Sequence, residues 1–233
     1  MPLASSMPAQ DGGRLPMVRE GYWYGLPLAL VALGALAFKL YLASAFFFVL
    51  TILVLNFFRD PERALPADPA AIVSPADGRV VQIVEEDVGG RAVRRISIFM
   101  SPLDVHVNRA PAAGALSEVV YLKGRFHVAS EERASTQNEQ NIFTIDTAAG
   151  PIVVKQIAGL VARRIVFWKR VGDRLHRGER VGLIKFGSRV DVLLDPAIEL
   201  LIKVGDHVWA GSTTLALLPH PPTLPEAVRP ASK

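Results

Sequence analysis

Thirty-three consecutive residues, 26–58, read "LPLALVALGALAFKLYLASAFFFVLTILVLNFF" and carry a single charge, Lys39. About 20 apolar residues cross the hydrocarbon core of a bilayer as a helix, so this run is one span and half of another. Lys39 and the small residues around it divide it into 26–38 and 40–58. The second part is long enough to span; the first reaches that length only if 21–25 is counted in. Two arrangements follow: a tight helical hairpin with both ends on one side, or one long tilted or interfacial helix. Arginines flank both ends, Arg14 and Arg19 before and Arg59 and Arg63 after, which favours a hairpin with both ends cytoplasmic. "ASA" at 43–45 resembles a signal-peptide cleavage site. A cut there would leave "FFFVLTILVLNFF" as the new N-terminus, itself a membrane segment. Whatever folds after residue 58 is expected at the cell membrane, on its cytoplasmic face.

Charge narrows the partners. The formal net charge is +4, with many of the arginines in 161–180, which suits an anionic surface. Aromatic residues do not interleave with the basic runs as a nucleic-acid platform requires, so a phospholipid headgroup is favoured over nucleic acid. The chain has no cysteine, which excludes disulfides, thiolate metal sites and a cysteine nucleophile. It also lacks a phosphate-cradling glycine loop, metal-binding His-Glu spacing and a G-x-S-x-G elbow, so no metal is expected.

Beyond the apolar run the pattern changes. Residues 1–20 read as a tail, 21–58 as the membrane-associated helical segment, and 59–71, "RDPERALPADPAA", as a proline-bearing linker. From 72 to 218 short runs of alternating, β-branched residues are separated by turn residues, which predicts strands throughout. Residues 130–141, "SEERASTQNEQN", read as loop or a short turn of helix, and 219–233 as a proline-rich tail. One repeat stands out: "RVGDRLHRGERV" (170–181) and "KVGDHVWAGSTT" (203–214) share V-G-D-x-x-x-x-G, 33 residues apart. Two ordinary turns would explain each copy but not their near-identity. Paired units of this kind resemble biotinyl and lipoyl domains. The expected fold is mainly β, a barrel-sandwich core with an N-terminal helical membrane segment.

Polar residues in these strands and turns are the candidates for chemistry. Asp77 stands in "SPADGRV" (74–80), where Asp-Gly after Pro-Ala is first of all a turn signal. In "FMSPLDVHVNRAP" (99–111), an extended 103–109 would line up Asp104, His106 and Asn108 on one face and Val105 and Val107 on the other. His127 and the amides Gln137, Asn138 and Asn141 in 124–141 could meet polar ligand groups. The last candidate is Gly187-Ser188 in "LIKFGSRVDV" (183–192), which interrupts an otherwise regular alternation where Asn-Gly or Asp-Gly would turn the chain more readily.

The succession of membrane segment, "FFRDPER", "SPADGRV", "DVHVNRAP", "NEQN" and "FGSRVDVLL" resembles the phosphatidylserine decarboxylase proenzymes, short bacterial and archaeal type, from about residue 20 to residue 218. The resemblance implies that Gly187–Ser188 is the bond at which the chain cuts itself, into a β chain 1–187 and an α chain 188–233 that stay associated. Ser188 Oγ would attack the Gly187 carbonyl, and glycine leaves that carbonyl open to close approach. β-Elimination and hydrolysis would then turn Ser188 into a pyruvoyl group, with His106, oriented by Asp77, as the base. The covalent pyruvoyl is the implied cofactor in place of pyridoxal phosphate. It would form a Schiff base with the amine of phosphatidylserine and take up the electrons released with CO2, yielding phosphatidylethanolamine.

One departure matters. Longer relatives resemble D-x-H-x-x-H-x-P here, whereas "DVHVNRAP" has Arg109 at the second histidine. Either His106 serves both cleavage and decarboxylation, or another group such as His127 takes one step. Arg109, His127, Asn138 and Asn141 are candidate substrate contacts, with Arg163 and Arg164 further candidates for phosphate or carboxylate. A homo-oligomer is left open. The competing reading is a non-enzymatic, membrane-anchored adaptor with a lipoyl-like barrel. It predicts long helical insertions in the barrel that the sequence lacks. A biotin- or lipoate-carrying domain would need a modifiable lysine at a hairpin tip, and Lys185 lacks the usual flanking residues.

Overall fold

The apolar run breaks where it carries its charge. In the computed structural model, which describes residues 17–125, 127, 134–159, 164–185 and 188–219, helix α1 (Arg19–Ala37) and helix α2 (Tyr41–Phe57) are separated by Lys39 at φ 61°. A left-handed conformation at a residue with a Cβ cannot continue a helix. Ser44 Oγ donates to Ala32 O (2.9 Å) and Val18 N to Phe58 O (3.0 Å), closing the pair into a hairpin. At 1.5 Å per residue, the 17 residues of α2 extend about 25 Å, short of a bilayer core of about 30 Å. Among the described residues no helix is long and apolar enough to cross a membrane, although 40–58 reads as long enough by its sequence. The hairpin nevertheless leaves Trp23, Leu30, Phe38, Leu42 and Phe46 more than half exposed.

The chain divides between Glu62 and Arg63 into two compact units. The second is mainly β. Its strands are β1 (Ala71–Val73), β2 (Gly78–Val88), β3 (Arg91–Met100), β4 (Val107–Arg109), β5 (Gly114–Leu122), β6 (Gln140–Thr147) and β7 (Gly150–Ala158). They continue as β8 (Ile165–Phe167), β9 (Arg174–Leu175), β10 (Arg180–Ile184), β11 (Ser188–Leu194), β12 (His207–Val208) and β13 (Thr214–Leu217), and a one-turn helix α3 (Ala134–Gln137) precedes β6. All pair antiparallel, in a curled eight-stranded sheet β12-β2-β3-β11-β7-β6-β5-β9, a three-stranded sheet β4-β10-β8 and the pair β1-β13. Alternate residues fill the core: Val80, Ile96, Ile98, Phe143, Ile145, Ile152, Val154, Val190 and Val192 are buried on one face.

The V-G-D repeats are built alike. Gly172 and Gly205 take φ of 94° and 98°, a conformation that only glycine enters without strain. Asp173 Oδ2 accepts from Arg170 N (2.8 Å) and Asp206 Oδ2 from Lys203 N (2.9 Å). Each turn then grips a strand in the same way: Gly172 N donates to Leu116 O and Gly205 N to Val80 O, both at 2.8 Å. The strands so gripped also begin alike. "SPADGRV" (74–80) and "APAAGAL" (110–116) lie 36 residues apart with the shared frame P-A-x-G. They cross reciprocally, Val73 N donating to Pro111 O and Arg109 N to Pro75 O, each at 2.9 Å. A Cβ on Gly78 would lie 2.2 Å from Phe99 O, and one on Gly114 2.4 Å from Asp146 O, so neither strand could pack as it does with a side chain there.

Candidate active site

Ser188 opens β11, in the middle of the large sheet, and its main chain is held from both sides, opposite Met100 on β3 and Ala158 on β7. Its side chain is fully buried and its hydroxyl donates to Met100 Sδ at 3.3 Å. Gly187 and Arg163 lie outside the described residues. Behind Ser188 the strand is locked by buried charge. Arg189 makes a two-pronged contact with Asp191 (Nε to Oδ1 2.6 Å, Nη2 to Oδ2 3.1 Å) and donates to Ser97 Oγ (2.6 Å), which also accepts from Arg95 Nη1 (2.9 Å). Two charges withdrawn from water persist only when they are paired this closely.

A chain of buried amides leads to the same methionine. Asn141 Nδ2 donates to Gln156 Oε1 (3.0 Å), Gln156 Nε2 to Asn108 Oδ1 (2.8 Å), and Asn108 Nδ2 to Met100 Sδ (3.7 Å). Asn108 is thus a neighbour of Ser188 through one sulfur atom.

His106 and Asp77 stand on the two segments that cross. His106 is buried just before β4, its carbonyl facing Ile184 N (3.4 Å) and its Nδ1 2.9 Å from Asp104 O, the partner that puts the proton on Nδ1. The expected strand from 103 is shorter than its pattern suggested. Asp104 closes a turn with Ser101 (Asp104 N to Ser101 O 2.9 Å, Ser101 N to Asp104 Oδ2 2.7 Å), so only Val107–Arg109 is strand. Asp104 Oδ1 meets the exposed His207 at 3.3 Å. Asp77 is buried, its Oδ2 accepting from Arg63 Nη2 (2.6 Å) and its Oδ1 from Ala210 N (2.7 Å). The bond from Arg109 N to Pro75 O ties the Asp77 segment to the segment of His106 and Asn108, and Asn108 meets Ser188 across Met100.

The remaining candidates frame this centre. Asn138 is fully engaged: Oδ1 accepts from His127 N (2.8 Å), and Nδ2 donates to His127 O (2.9 Å) and Ala158 O (2.8 Å), joining that loop to the residue beside Ser188. Asn141 belongs to the amide chain. Arg109 is buried rather than solvated and donates to Gly178 O (3.1 Å). Gln137 and Arg164 are exposed, and Lys185 N bonds Arg164 O (3.2 Å). Met100, Gln156 and Arg63 as a partner of Asp77 were not anticipated. Gln156 was detectable, since Ile152, Val154 and Ala158 share its face of β7 and an amide in an inward row needs a buried partner. Among the described residues no group of three His, Cys, Asp or Glu could hold a metal ion.

The phosphatidylserine decarboxylase family profile matches residues 50–216. The phosphatidylserine decarboxylase proenzyme of Solibacter usitatus is 50% identical over 206 residues, covering 87% of this chain and 97% of that one. That of Salinibacter ruber is 48% identical over 217 residues (90% and 88%), and that of Geotalea uraniireducens 45% over 209 residues (88% and 97%). The chain belongs to the phosphatidylserine decarboxylase family, enzymes of the decarboxylase (lyase) class.

Proposed function

We propose that this chain converts phosphatidylserine to phosphatidylethanolamine after cutting itself between Gly187 and Ser188 and turning Ser188 into a pyruvoyl group. The observation that carries the reading is Ser188 itself, a buried hydroxyl at the first residue of a central strand whose main chain is held from both sides. Such a residue stays in place after the bond before it is broken. Burial beside the Met100 thioether also fits a pyruvoyl group, whose methyl would replace the Ser188 side chain out of water.

In the cleavage, His106 takes the hydroxyl proton as Oγ attacks the Gly187 carbonyl, and the amide becomes an ester. Asp77, paired with Arg63 and the Ala210 amide, stabilises the imidazolium that results. Loss of the Ser188 α-proton breaks the Cβ–Oγ bond and releases 1–187 with a terminal carboxylate. Water then converts the dehydroalanine left behind into the pyruvoyl group and ammonia. That group supplies a carbonyl that condenses with the substrate amine and draws off the electrons left when CO2 departs. His106 returns a proton afterwards. Asn138, Asn141 and Arg109, engaged with protein groups, hold the walls of the site rather than the headgroup.

We read the curled sheet with its paired V-G-D turns as a barrel-sandwich, and the exposed apolar hairpin of α1 and α2 as lying in the cytoplasmic face of the cell membrane, where the lipid substrate is. Leu42→Glu combined with Phe46→Glu is expected to abolish flotation with phospholipid vesicles.

Intact-mass measurement of the purified protein tests the central claim. Two chains are expected, 1–187 and 188–233, the second lighter than its sequence by one ammonia. A single uncut chain under conditions that support decarboxylation would refute the mechanism.

A further inference from the structure

We infer that Met100 positions the Ser188 hydroxyl for self-cleavage and has little part in decarboxylation once cleavage is complete; the inference rests on the function proposed above. The two residues are directly opposed across β3 and β11, both are fully buried, and the hydroxyl donates to the thioether at 3.3 Å. The sulfur is itself held, by Asn108 Nδ2 at 3.7 Å, and Asn108 is fixed through Gln156 to Asn141. A relay of three buried side chains, from β6, β7 and β4, therefore ends on one atom of β3 that faces the nucleophile.

A thioether suits this place for two reasons. It is a weak acceptor with no useful basicity, so it holds the hydroxyl in place yet gives up the single proton to His106 as the attack begins. A carboxylate or imidazole there would compete with His106 for that proton. The second reason appears when the atoms are followed. On ester formation and elimination, Oγ leaves as part of the Gly187 carboxylate, and Cβ of Ser188 becomes a methyl group. The partner of Met100 thus changes from a hydroxyl to a methyl, and sulfur packs well against either. Its hydrogen bond exists only in the uncut chain, so its loss must appear in cleavage and not in turnover.

The chain allows this to be tested with the shape of the side chain unchanged. Of its methionines, 1, 7, 17 and 100, only Met100 lies in the β-rich unit, so replacing all of them by norleucine exchanges one sulfur for a CH2 in that unit. Loss of one hydrogen bond predicts cleavage slower by about fivefold. We expect that slowing in a timed cleavage assay for the norleucine protein and for Met100→Leu. Decarboxylation per pyruvoyl group should stay within about twofold of the methionine protein, with an unchanged melting temperature. Cleavage at the ordinary rate would overturn the inference and leave the proposed function intact. A parallel fall in cleavage, turnover and melting temperature would also overturn it, because Met100 would then only fill space. A methionine protein that never cuts at 187/188 would refute the proposed function, and the inference with it.

Discussion

Two stretches of this molecule share a backbone and differ in chemistry. Residues 70–80, gripped by the turn at 203–214, and residues 106–116, gripped by the turn at 170–181, make equivalent hydrogen bonds. At equivalent places, 36 apart, the first has Asp77 where the second has Ala113, and the second has His106 and Asn108 where the first has Ala70 and Ile72. Neither copy holds the polar set alone. The copies cross through Val73–Pro111 and Arg109–Pro75, which ties the segment of Asp77 in one to the segment of His106 and Asn108 in the other. The repeated frame, P-A-x-G with V-G-D, supports the crossing; the chemistry sits at positions the frame leaves free.

The strongest test of that asymmetry exchanges the charge. Asp77→Asn keeps the shape and removes the carboxylate that faces Arg63, and cleavage is expected to slow by about 100-fold or more. Ala113→Asp puts a carboxylate at the equivalent, exposed place in the other copy and should leave cleavage within about twofold. Both rates can be read from timed gels of newly made protein. Equal effects from the two substitutions would mean that the copies are chemically equivalent after all.

The glycines that fix the crossing offer a smaller contrast. A Cβ at Gly78 or Gly114 would run into a backbone carbonyl at 2.2 or 2.4 Å. Overpacking of this kind costs about 1–3 kcal/mol, so Gly78→Ala and Gly114→Ala should each lower the melting temperature by about 3–10 °C. Only Gly78→Ala displaces the residue next to Asp77. Cleavage measured well below the transition should therefore slow in Gly78→Ala and not in Gly114→Ala. Equal slowing would mean that stability, not placement, limits the reaction.

What could be read from the sequence was local. V-G-D announces itself because a turn with positive φ needs glycine, and the aspartate caps the same turn. Strand content followed from alternation. The split of the apolar run at Lys39 was visible from its charge, but helix length was not, because hydropathy does not report where a left-handed residue ends a helix. Asp77 and His106 stood out by their contexts, yet Pro102 and the Ser101–Asp104 turn removed Asp104 from the face it was expected to share with His106. The chain from Asn141 to Met100 was out of reach. It depends on which residues of β3, β4, β6 and β7 face each other, and register across distant strands is a tertiary property.

The gripping turns themselves differ in charge, and that difference sets the mildest prediction. In one, Thr213 Oγ1 accepts from Trp209 N (2.9 Å); in the other, Glu179 accepts from His176 N (2.8 Å) and pairs with Lys169. Burial pushes the Glu179 carboxyl up, but the His176 amide and the Lys169 ammonium outweigh it and hold it below the ordinary carboxylate range. A carboxyl whose folded value is lowered contributes stability above its unfolded value and loses it as the pH falls through the folded one. Glu179→Gln should therefore remove part of the acid sensitivity. At neutral pH the variant should melt about 1–2 °C lower, a small effect because the pair is partly exposed, and the gap should close as the pH drops below the carboxylate range. Thr213→Val in the neutral turn should lose a similar amount at every pH. A gap for Glu179→Gln that stayed constant with pH would show that the glutamate serves only as a hydrogen-bond acceptor, and that the two turns are equivalent in charge as well as in shape.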